Sequence, residues 1–468
     1  MKISLGHRPL TVGEIAGICR GELNIPGCSG ELVYSVCTDS REAGAGVLFL
    51  AFSGANVDGS NYIASAVKLG AVCALSEKIP ESAADCPVVI VRNQYEALGR
   101  LAAFYSSLCP AKRIAVTGSV GKTTTKEFIA AALSKKKVHK SIGNANSIIG
   151  MPLTVLAMPE DAEYAVIECG INHPGEMTHM SDVVRPDIAV ITNIGSSHLE
   201  YFGTRENIAA EKCAIASAMK KDGIFLLNAE EPLLEKYIAD DPRARTFASD
   251  GSVRADYVIT GLCREGMSTV FGVRTPCGII DGIRVPVVGK HLVTDALIGV
   301  AAADAAGMPA DDIREGILSF RNAPMRQEVR IIGGRTVIND CYNASPESMR
   351  TAAELLCDSM TGDGRRIAVL GDMYELGDNW AELHESVGRY FAGKGTDAVV
   401  AFGEQAMKIA DGAAECGTAV YRFPDLGDPA AAADCVMNIS KPGDRIIIKA
   451  SRGVQAERIA GLMEKITG

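Results

Sequence analysis

The stretch from Arg113 to Thr125 constrains this chain most, because it joins an apolar, β-branched run to a glycine turn and then to a lysine. The run at 114–117 has the composition of a buried strand, and the residues after Lys122 have the periodicity of an amphipathic helix. Backbone N–H groups of such a turn, together with the positive end of the helix, form a concave site for phosphate groups. The stretch therefore predicts a strand, a phosphate-binding loop and a helix.

The glycine spacing departs from the general phosphate-loop pattern, which requires a glycine where this chain has Val116. The motif is the shorter T-G-x-x-G-K-T form. An ordinary strand-to-helix turn can also contain a lysine, but the flanking strand and helix favour nucleotide binding. Lys122 would reach the terminal phosphates, and the Thr123 hydroxyl would bind Mg²⁺. The predicted nucleotide-binding loop consists of Gly118, Ser119, Val120, Gly121, Lys122, Thr123 and Thr124.

The length of 468 residues exceeds what one hydrophobic core supports and suggests about three domains. Strands alternate with helices along the chain, which predicts an α/β fold. A helix predicted at 94–108 is followed by Pro110, and the polar stretch 321–326 forms a second joint. We therefore expect a small N-terminal α/β domain at 1–110, a central parallel-sheet domain at 111–320, and a C-terminal Rossmann-like α/β domain at 321–468.

Composition excludes several functional classes. The net charge of −10 gives no electrostatic basis for nucleic-acid or anionic-membrane binding. The 14 cysteines form no C-x-x-C pair, so reduced and mostly buried thiols are expected. The sequence has neither the pattern of a signal peptide nor an apolar segment long enough to span a bilayer. We expect a soluble, cytoplasmic monomer.

Polar clusters outside the loop provide further candidates. Thr38, Asp39, Ser40 and Arg41 follow a predicted strand, and this cluster suits ribose, pyrimidine or diphosphate groups as well as it suits a plain Asx-type turn with a surface arginine. Glu168 ends an apolar strand, at the sheet edge where α/β proteins bind ligands, although such a glutamate can simply be solvated. His198 follows another strand toward the same edge. Lone histidines are more often structural.

The C-terminal part carries three polar clusters directly after predicted strands, at 340–346, 371–377 and 449–452. Because the carboxyl ends of parallel strands share one edge, the three clusters should lie together. Ser345 and Pro346 have the form of an N-cap and a first helical residue.

The combination of motifs resembles the Mur ligase family over nearly the whole chain. The resemblance rests on the loop at 117–123, on Glu168, His198 and Lys212 in that order, and on three longer motifs. These motifs are I-E-C-G-I-N-H-P-G-E at 167–176, D-C-Y-N-A-S-P-E-S-M at 340–349 and G-D-M-Y-E-L-G at 371–377, with T-D-S-R at 38–41 resembling a uridine-site motif.

The resemblance implies an ATP-dependent ligase that joins D-alanyl-D-alanine to UDP-N-acetylmuramoyl-tripeptide through an acyl phosphate. It implies two Mg²⁺ ions. Thr123 and Glu168 would hold one of them, and Glu168 and His198 the other. Lys212 would be carbamylated and would act as a further metal ligand; a lysine at this helix position is otherwise usually a solvated surface charge. Lys122, His198 and Lys212 would be the catalytic groups.

The resemblance also assigns binding residues in the C-terminal half and in the substrate loops. Arg326 and Asp340 would contact the nucleotide, and Asn146, Asn172, His173 and Asn343 the peptide substrates. The family usually has an asparagine that reads adenine where this chain has Asp295. Because an ionised aspartate cannot donate a hydrogen bond, weaker or less selective adenine binding is predicted. Ser345 also replaces a more usual asparagine.

Three competing interpretations are less consistent with the sequence. Folylpolyglutamate synthase has its phosphate loop near the N-terminus, whereas more than 100 residues precede the loop here. The tripeptide-forming member of the family carries a D-N-P-R motif that this chain lacks. A nucleotide-binding regulator would not need the second metal site implied by Glu168, His198 and Lys212. The third residue of the tripeptide, lysine or diaminopimelate, is left open.

Overall fold

The structure is a computed structural model that describes residues 1–54, 57–265, 268–286, 289–358 and 364–467. Its strands are β1 (Lys2–Ser4), β2 (Leu10–Thr11), β3 (Glu22–Leu23), β4 (Leu32–Val33), β5 (Ser35–Cys37), β6 (Val47–Leu50), β7 (Cys73–Ser76), β8 (Val88–Ile90), β9 (Lys112–Thr117), β10 (Val138–Lys140), β11 (Tyr164–Glu168), β12 (Ile188–Ile191), β13 (Ile224–Asn228), β14 (Ala244–Ala248), β15 (Tyr257–Glu265), β16 (Ser268–Thr275), β17 (Gly278–Val285), β18 (Glu328–Ile332), β19 (Arg335–Asn339), β20 (Arg366–Gly371), β21 (Ala398–Phe402), β22 (Ala419–Phe423) and β23 (Arg445–Lys449).

The α-helices are α1 (Val12–Cys19), α2 (Ile63–Lys68), α3 (Gln94–Leu108), α4 (Lys122–Ala132), α5 (Gly150–Leu156), α6 (Glu176–Val184), α7 (Leu199–Phe202), α8 (Arg205–Cys213), α9 (Glu235–Asp240), α10 (Lys290–Ala305), α11 (Ala310–Leu318), α12 (Pro346–Asp358), α13 (Trp380–Gly393), α14 (Met407–Glu415), α15 (Pro429–Ile439) and α16 (Glu457–Thr467). Strands and helices alternate throughout, which confirms the predicted α/β class.

The chain divides into two compact units. The first contains Met1–Thr117, Leu133–Val190 and Glu211–Phe225, and the second contains Gly118–Ala132, Ile191–Ala210 and Leu226–Gly468. The predicted domain boundaries at 110/111 and 320/321 stay predictions.

The N-terminal part of the first unit contains a six-stranded sheet in the order β1-β5-β6-β7-β8-β3. Strands β5 to β8 run parallel, and β1 and β3 pair antiparallel at the two edges. The sheet and helix α2 share one buried apolar cluster. The apolar face of the long helix α3 includes Leu98, Leu101 and Tyr105. The predicted bounds of α3 are confirmed, and α2 is preceded by a turn of 3₁₀ helix.

The first unit also contains three parallel strands in the order β10-β11-β9, with Glu168 opposite Val116 in the register. All five side chains of β11 are buried, as expected for a strand inside a parallel sheet. Glu168, the last residue of β11, therefore lies at the carboxyl edge of these strands.

In the second unit, helix α4 follows the phosphate loop directly and packs against α10 and α11. Phe128 of α4 stacks on Phe320, with ring centroids 3.6 Å apart and planes inclined by 8°. Phe320, the residue after α11 and its cap, is 2% exposed. The stacked pair of Phe128 and Phe320 therefore fixes helix α4, which follows the phosphate loop.

Strands β15, β16 and β17 form antiparallel pairs in the second unit, with register shifts at 260–263 and at 271–273. The sequence did not predict them. The C-terminal sheet has the order β18-β19-β23-β20-β21-β22, parallel except for β18. Its two faces bury separate apolar clusters, as the predicted Rossmann-like sheet requires.

No helix within the described ranges has the length and apolar character needed to cross a membrane. All 14 cysteines carry free thiols, and three of them, Cys263, Cys277 and Cys416, are exposed. Burial raises the pKa of the thiols of Cys19 and Cys73 to about 12, so both are protonated at neutral pH.

Candidate active site

The phosphate loop depends on two glycines. Gly118 has φ +149°, and a Cβ added there would lie 1.9 Å from Thr192 Oγ1. Gly121 has φ +81°, and a Cβ there would lie 2.7 Å from Asp295 Oδ1. Both positions therefore require glycine on grounds of conformation and of space. The shorter T-G-x-x-G-K-T spacing corresponds to a tight turn that contacts Thr192 at Gly118 and Asp295 at Gly121.

Asn193, two residues after the end of β12, holds the phosphate loop by hydrogen bonds. Its Oδ1 accepts hydrogen bonds from the N–H groups of Ser119, at 3.1 Å, and Val120, at 2.9 Å. The Thr192 hydroxyl donates to the Val120 carbonyl at 2.6 Å. Neither Thr192 nor Asn193 was predicted as a site residue. Their position at a strand end, on the same stretch as His198, is the signal that could have indicated them.

Lys122 lies over its own loop and donates from Nζ to the carbonyls of Gly118, at 2.7 Å, and Ser119, at 3.2 Å. The ammonium is therefore held at the mouth of the turn. The first N–H groups of α4 have no acceptor within the helix, as at any helix start. Thr123 and Thr124 are buried at that start. This arrangement of a cation and helix N–H groups suits the terminal phosphates of a nucleotide.

Arg326 reaches the same loop from the polar joint 321–326. Its Nη2 donates to Thr123 Oγ1 at 2.9 Å, and its guanidinium lies 3.9 Å from the centre of the Tyr342 ring. The structure thus places Arg326 at the phosphate end of the candidate site, as its charge predicted. Tyr342, which stacks on it, was not predicted.

Asp295 is half-buried beside the loop. Its Oδ1 accepts a hydrogen bond from the Thr125 hydroxyl at 3.0 Å and lies against Gly121. Burial raises the pKa of the carboxyl to about 7, although the Thr125 hydrogen bond and the charge of Arg326 oppose the shift. The contacts of Asp295 are therefore with the phosphate-loop turn and helix, which the sequence did not predict.

Asp340 forms a buried ion pair with Lys449, with Oδ2 and Nζ 2.6 Å apart. Lys449 also donates to the carbonyl of Asn343 at 3.0 Å, and the backbone N–H of Gln327 donates to Asp340 Oδ1 at 3.3 Å. Two of the three C-terminal clusters thus meet through one lysine. The side chain of Asn343 is exposed.

The 371–377 loop joins the same rim. The Tyr374 N–H donates to Ser451 Oγ, and the Met373 N–H donates to Nε2 of the buried His384, both at 3.0 Å. The prediction that the three clusters lie together is confirmed. Burial lowers the pKa of His384, which keeps its ring neutral as an acceptor. Ser345 accepts from the N–H of Ser348 at 3.3 Å, as predicted for an N-cap.

Glu168 is 1% exposed and accepts a hydrogen bond from Asn146 Nδ2 at 2.7 Å. The alternative interpretation, in which Glu168 is simply solvated at the edge of the sheet, is therefore wrong. Asn146, predicted to contact substrate, contacts the predicted metal ligand instead in this structure. Asn172 and His173 are exposed in the loop between β11 and α6.

Lys212 is 1% exposed, so it is not the solvated helix-face charge that lysines in such positions usually are. Lys212 is the second-last residue of α8, which is followed by a turn of 3₁₀ helix at Ala214–Ala216. The preceding residue, Glu211, accepts hydrogen bonds from the N–H groups of Gly175, at 2.9 Å, and Met177, at 2.8 Å. Glu211 thereby caps α6 and fixes the loop that carries His173. Its role was not predicted.

His198 has φ +65° and precedes α7. Its Nδ1 lies 2.7 Å from Glu375 Oε2 in the 371–377 loop, without the alignment of a hydrogen bond. The predicted metal ligand His198 thus contacts the 371–377 loop, one of the three C-terminal polar clusters.

The T-D-S-R cluster lies in the first unit. Arg41 Nη2 is 2.6 Å from Asp39 Oδ2, and Asp39 also accepts from the Arg41 N–H at 3.0 Å. The Arg41 side chain is 87% exposed, and its hydrogen bond holds the pKa of Asp39 well below its usual range. Thr38 Oγ1 lies near the N-terminal ammonium, and Ser40 begins a 3₁₀ turn. The geometry is that of an Asx-type turn with a surface arginine.

The predicted metal ligands fall in both units: Glu168 and Lys212 in the first, Thr123 and His198 in the second. Within the described ranges, no three His, Cys, Asp or Glu side chains are grouped as a metal site. The buried carboxylate of Glu168 and the Thr123 hydroxyl supply the oxygen donors that Mg²⁺ prefers, so the chemistry of these two residues fits the ion.

The chain belongs to the Mur ligase family. Residues 32–106 match the model described as "Mur ligase family, catalytic domain", residues 116–303 the "Mur ligase middle domain" and residues 325–452 the "Mur ligase, glutamate ligase domain". A relative from Bacillus subtilis, named UDP-N-acetylmuramoyl-tripeptide–D-alanyl-D-alanine ligase, is 36% identical over 96% of this chain and 97% of its own length.

Solved structures agree with this assignment. MurF from Acinetobacter baumannii has a TM-score of 0.89 and 30% identity over 98% of this chain and 99% of its own. The MurF ligase from Thermotoga maritima, solved in complex with ADP, has a TM-score of 0.80 and 29% identity over 92% and 97% of the two chains. The three-domain α/β architecture is therefore that of the family.

Proposed function

We propose that this chain is an ATP-dependent amide ligase that adds D-alanyl-D-alanine to UDP-N-acetylmuramoyl-tripeptide in peptidoglycan synthesis. The observation that carries the proposal is the 36% identity, over 96% of the chain, to a relative named for these two substrates. The phosphate loop supports it, because Gly118 and Gly121 form a turn that places a lysine and a helix start at one point.

The proposed reaction has two steps. The terminal carboxylate of the tripeptide attacks the γ-phosphorus of ATP, which forms an acyl phosphate and releases ADP. The amine of the dipeptide then attacks the acyl carbon, loses a proton and expels inorganic phosphate as the amide forms. The first step brings two anionic groups together, so it depends on cationic groups at the transferring phosphoryl. Lys122 and Arg326, which both contact the phosphate loop, supply these charges.

Mg²⁺, when bound, would shield the phosphate charges and polarise the acyl oxygen. In our proposal Thr123 and Glu168 hold the ion on ATP, and Glu168 and His198 hold a second ion, with Lys212 as a carbamate ligand. The burial of Lys212 supports this role, because the side chain lies inside the protein, where a ligand of a bound ion would be, and not in solvent. Asn146 orients Glu168 through its 2.7 Å hydrogen bond.

The remaining assignments are part of the same proposal. Arg326, Asp295 and Asp340 line the nucleotide position, Thr38, Asp39, Ser40 and Arg41 contact the uridine diphosphate group, and Asn146, Asn172, His173 and Asn343 contact the peptide parts. The three domains have boundaries near 110/111 and 320/321. The enzyme acts as a cytoplasmic monomer, in the compartment that supplies its ATP.

Measurement of phosphate release tests the function. We expect ATP-dependent release only when UDP-N-acetylmuramoyl-tripeptide and D-alanyl-D-alanine are both present, with a new amide product detected by mass. Tripeptides ending in lysine and in diaminopimelate, tested in parallel, identify the third residue. Nucleotide binding without turnover on any of these pairs would contradict the proposal and would indicate a nucleotide-binding regulator instead.

A further inference from the structure

The loop Gly195–His198 lies between the phosphate loop and the C-terminal elements of the second unit. The Gly195 N–H donates to Ser119 Oγ at 2.8 Å. A Cβ added to Gly195 would lie 3.2 Å from both Ser119 Cβ and Glu347 Cδ, so the backbone passes through a narrow space. Any displacement of this loop therefore acts on the phosphate loop at one end and on His198 at the other.

The carboxylate of Glu347 holds this loop at Ser196. It lies in the first turn of α12, and its Oε1 accepts hydrogen bonds from the Ser196 N–H, at 2.9 Å, and the Ser196 hydroxyl, at 2.7 Å. Hydrogen bonds to an ionised carboxylate are about twice as strong as neutral ones. Glu347 is thus placed to fix Ser196.

Glu375 holds the same loop by a side chain, through the 2.7 Å contact between its Oε2 and His198 Nδ1. His198 and Glu375 both have positive φ, at +65° and +63°. A positive φ costs conformational free energy in residues that have a Cβ. Such residues keep this conformation only where contacts with the surrounding structure enforce it. The N–H groups of Met373 and Tyr374, just before Glu375, are both bonded to residues of the same rim.

We infer that Glu347 and Glu375, here called the carboxylate clamp, are positioning residues that hold the loop Gly195–His198 in its working geometry. The inference rests on the proposed function, since it supposes that His198 and the phosphate loop act in one reaction. The contacts that form the clamp are with Ser196 and His198, which lie outside the predicted nucleotide-binding loop at 118–124. The clamp should therefore govern turnover more than nucleotide affinity.

Steady-state kinetics of E347A, E347Q and E375A test the clamp. We expect kcat to fall about tenfold or more in E347A and E375A, with KM for ATP within about twofold of wild type, as for other residues that orient a functional group. E347Q should keep near-normal activity, because its amide oxygen can accept both hydrogen bonds from Ser196. E382Q, which changes an exposed carboxylate on α13, is the matched control.

The double variant E347A/E375A should lose little more activity than the worse single variant, because both residues act through one loop. Losses that multiply in the double variant, or a kcat within about twofold of wild type in both single variants, would overturn the inference. So would an E347Q variant as impaired as E347A.

Hydrogen exchange gives a readout that does not depend on turnover. Amides at 194–200 should exchange faster in E347A and E375A than in wild type or E382Q, while thermal unfolding confirms that the variants are folded. Unchanged exchange in this loop in the folded variants would overturn the clamp. A wild-type enzyme that fails to release phosphate would instead contradict the proposed function, and the exchange result would still decide the clamp.

Discussion

Asp295 lies half-buried against Gly121 and Thr125, and desolvation raises the pKa of its carboxyl to about 7. An unfolded aspartate has a pKa of about 3.9. Between these values the folded protein holds a proton that the unfolded chain has lost, so the stabilising effect of the protonated form declines as pH rises through about 7.

D295N should therefore stabilise the protein by an amount that grows from about pH 4 to about pH 8, with an upper limit of roughly 4 kcal/mol. The amide remains neutral across this range and can still accept the Thr125 hydrogen bond. Urea unfolding at several pH values measures the difference, with D434N, an exposed aspartate on α15, as control. A stability gain that does not vary with pH would contradict the burial argument.

Lys212 gives a second prediction at the residue scale. K212A should lose most of its activity, because the buried amine is the proposed site of the carbamate ligand. A short carboxylic acid should restore part of the activity by taking the place of the carbamate. Phosphate release with and without acetate measures both effects, and K221A, at an exposed lysine, is the control. Full activity in K212A, or no restoration by the acid, would rule out this role.

Helix α4 depends on the stacked pair of Phe128 and Phe320. F320A should destabilise the protein by about 3–5 kcal/mol, the usual cost of truncating a buried phenylalanine. It should also weaken ATP binding, since the start of α4 forms part of the phosphate site. Denaturant unfolding and nucleotide titration measure the two effects. L318A, at a leucine that is 48% exposed, should change stability by less than about 1 kcal/mol and is the control.

Helices and strands whose apolar residues recur at a regular spacing were predictable from the sequence. The helix Gln94–Leu108 has the predicted bounds, because its apolar residues recur at the helical spacing. The antiparallel strands β15–β17 were missed. Their side chains include many exposed residues and the strands contain glycines at register shifts, so the pattern of alternation is broken.

Contacts across the site were less predictable than the elements. The sequence indicated Lys122, Arg326 and Asp340, since their charge and position suggested phosphate or ribose. It did not indicate Asn193, Tyr342 or Glu211, whose roles depend on which strand end or helix start lies beside them. Such proximity is a product of tertiary packing, and a single sequence contains no direct record of it.

At the scale of the whole molecule, nucleotide binding should be visible as stability. A ligand that binds only the folded state at about one hundred times its Kd adds roughly 2.7 kcal/mol. ATP with Mg²⁺ should therefore raise the melting temperature of the wild-type protein, and K122A should show a much smaller rise because the cation at the loop is gone. Differential scanning fluorimetry over a range of ATP concentrations measures both. An equal rise in K122A would exclude Lys122 from phosphate binding.

Hydrogen bonds within the protein hold the phosphate loop in place. Asn193 accepts from two of its N–H groups, and the ammonium of Lys122 rests on two of its carbonyls. Because these bonds already restrict the turn, it has little conformational entropy to lose when it binds ATP. The same restriction has consequences for inhibitor design. A compound aimed at this turn must offer Lys122 better acceptors than the two carbonyls it already has, and a neutral ring that only fills the space would gain little.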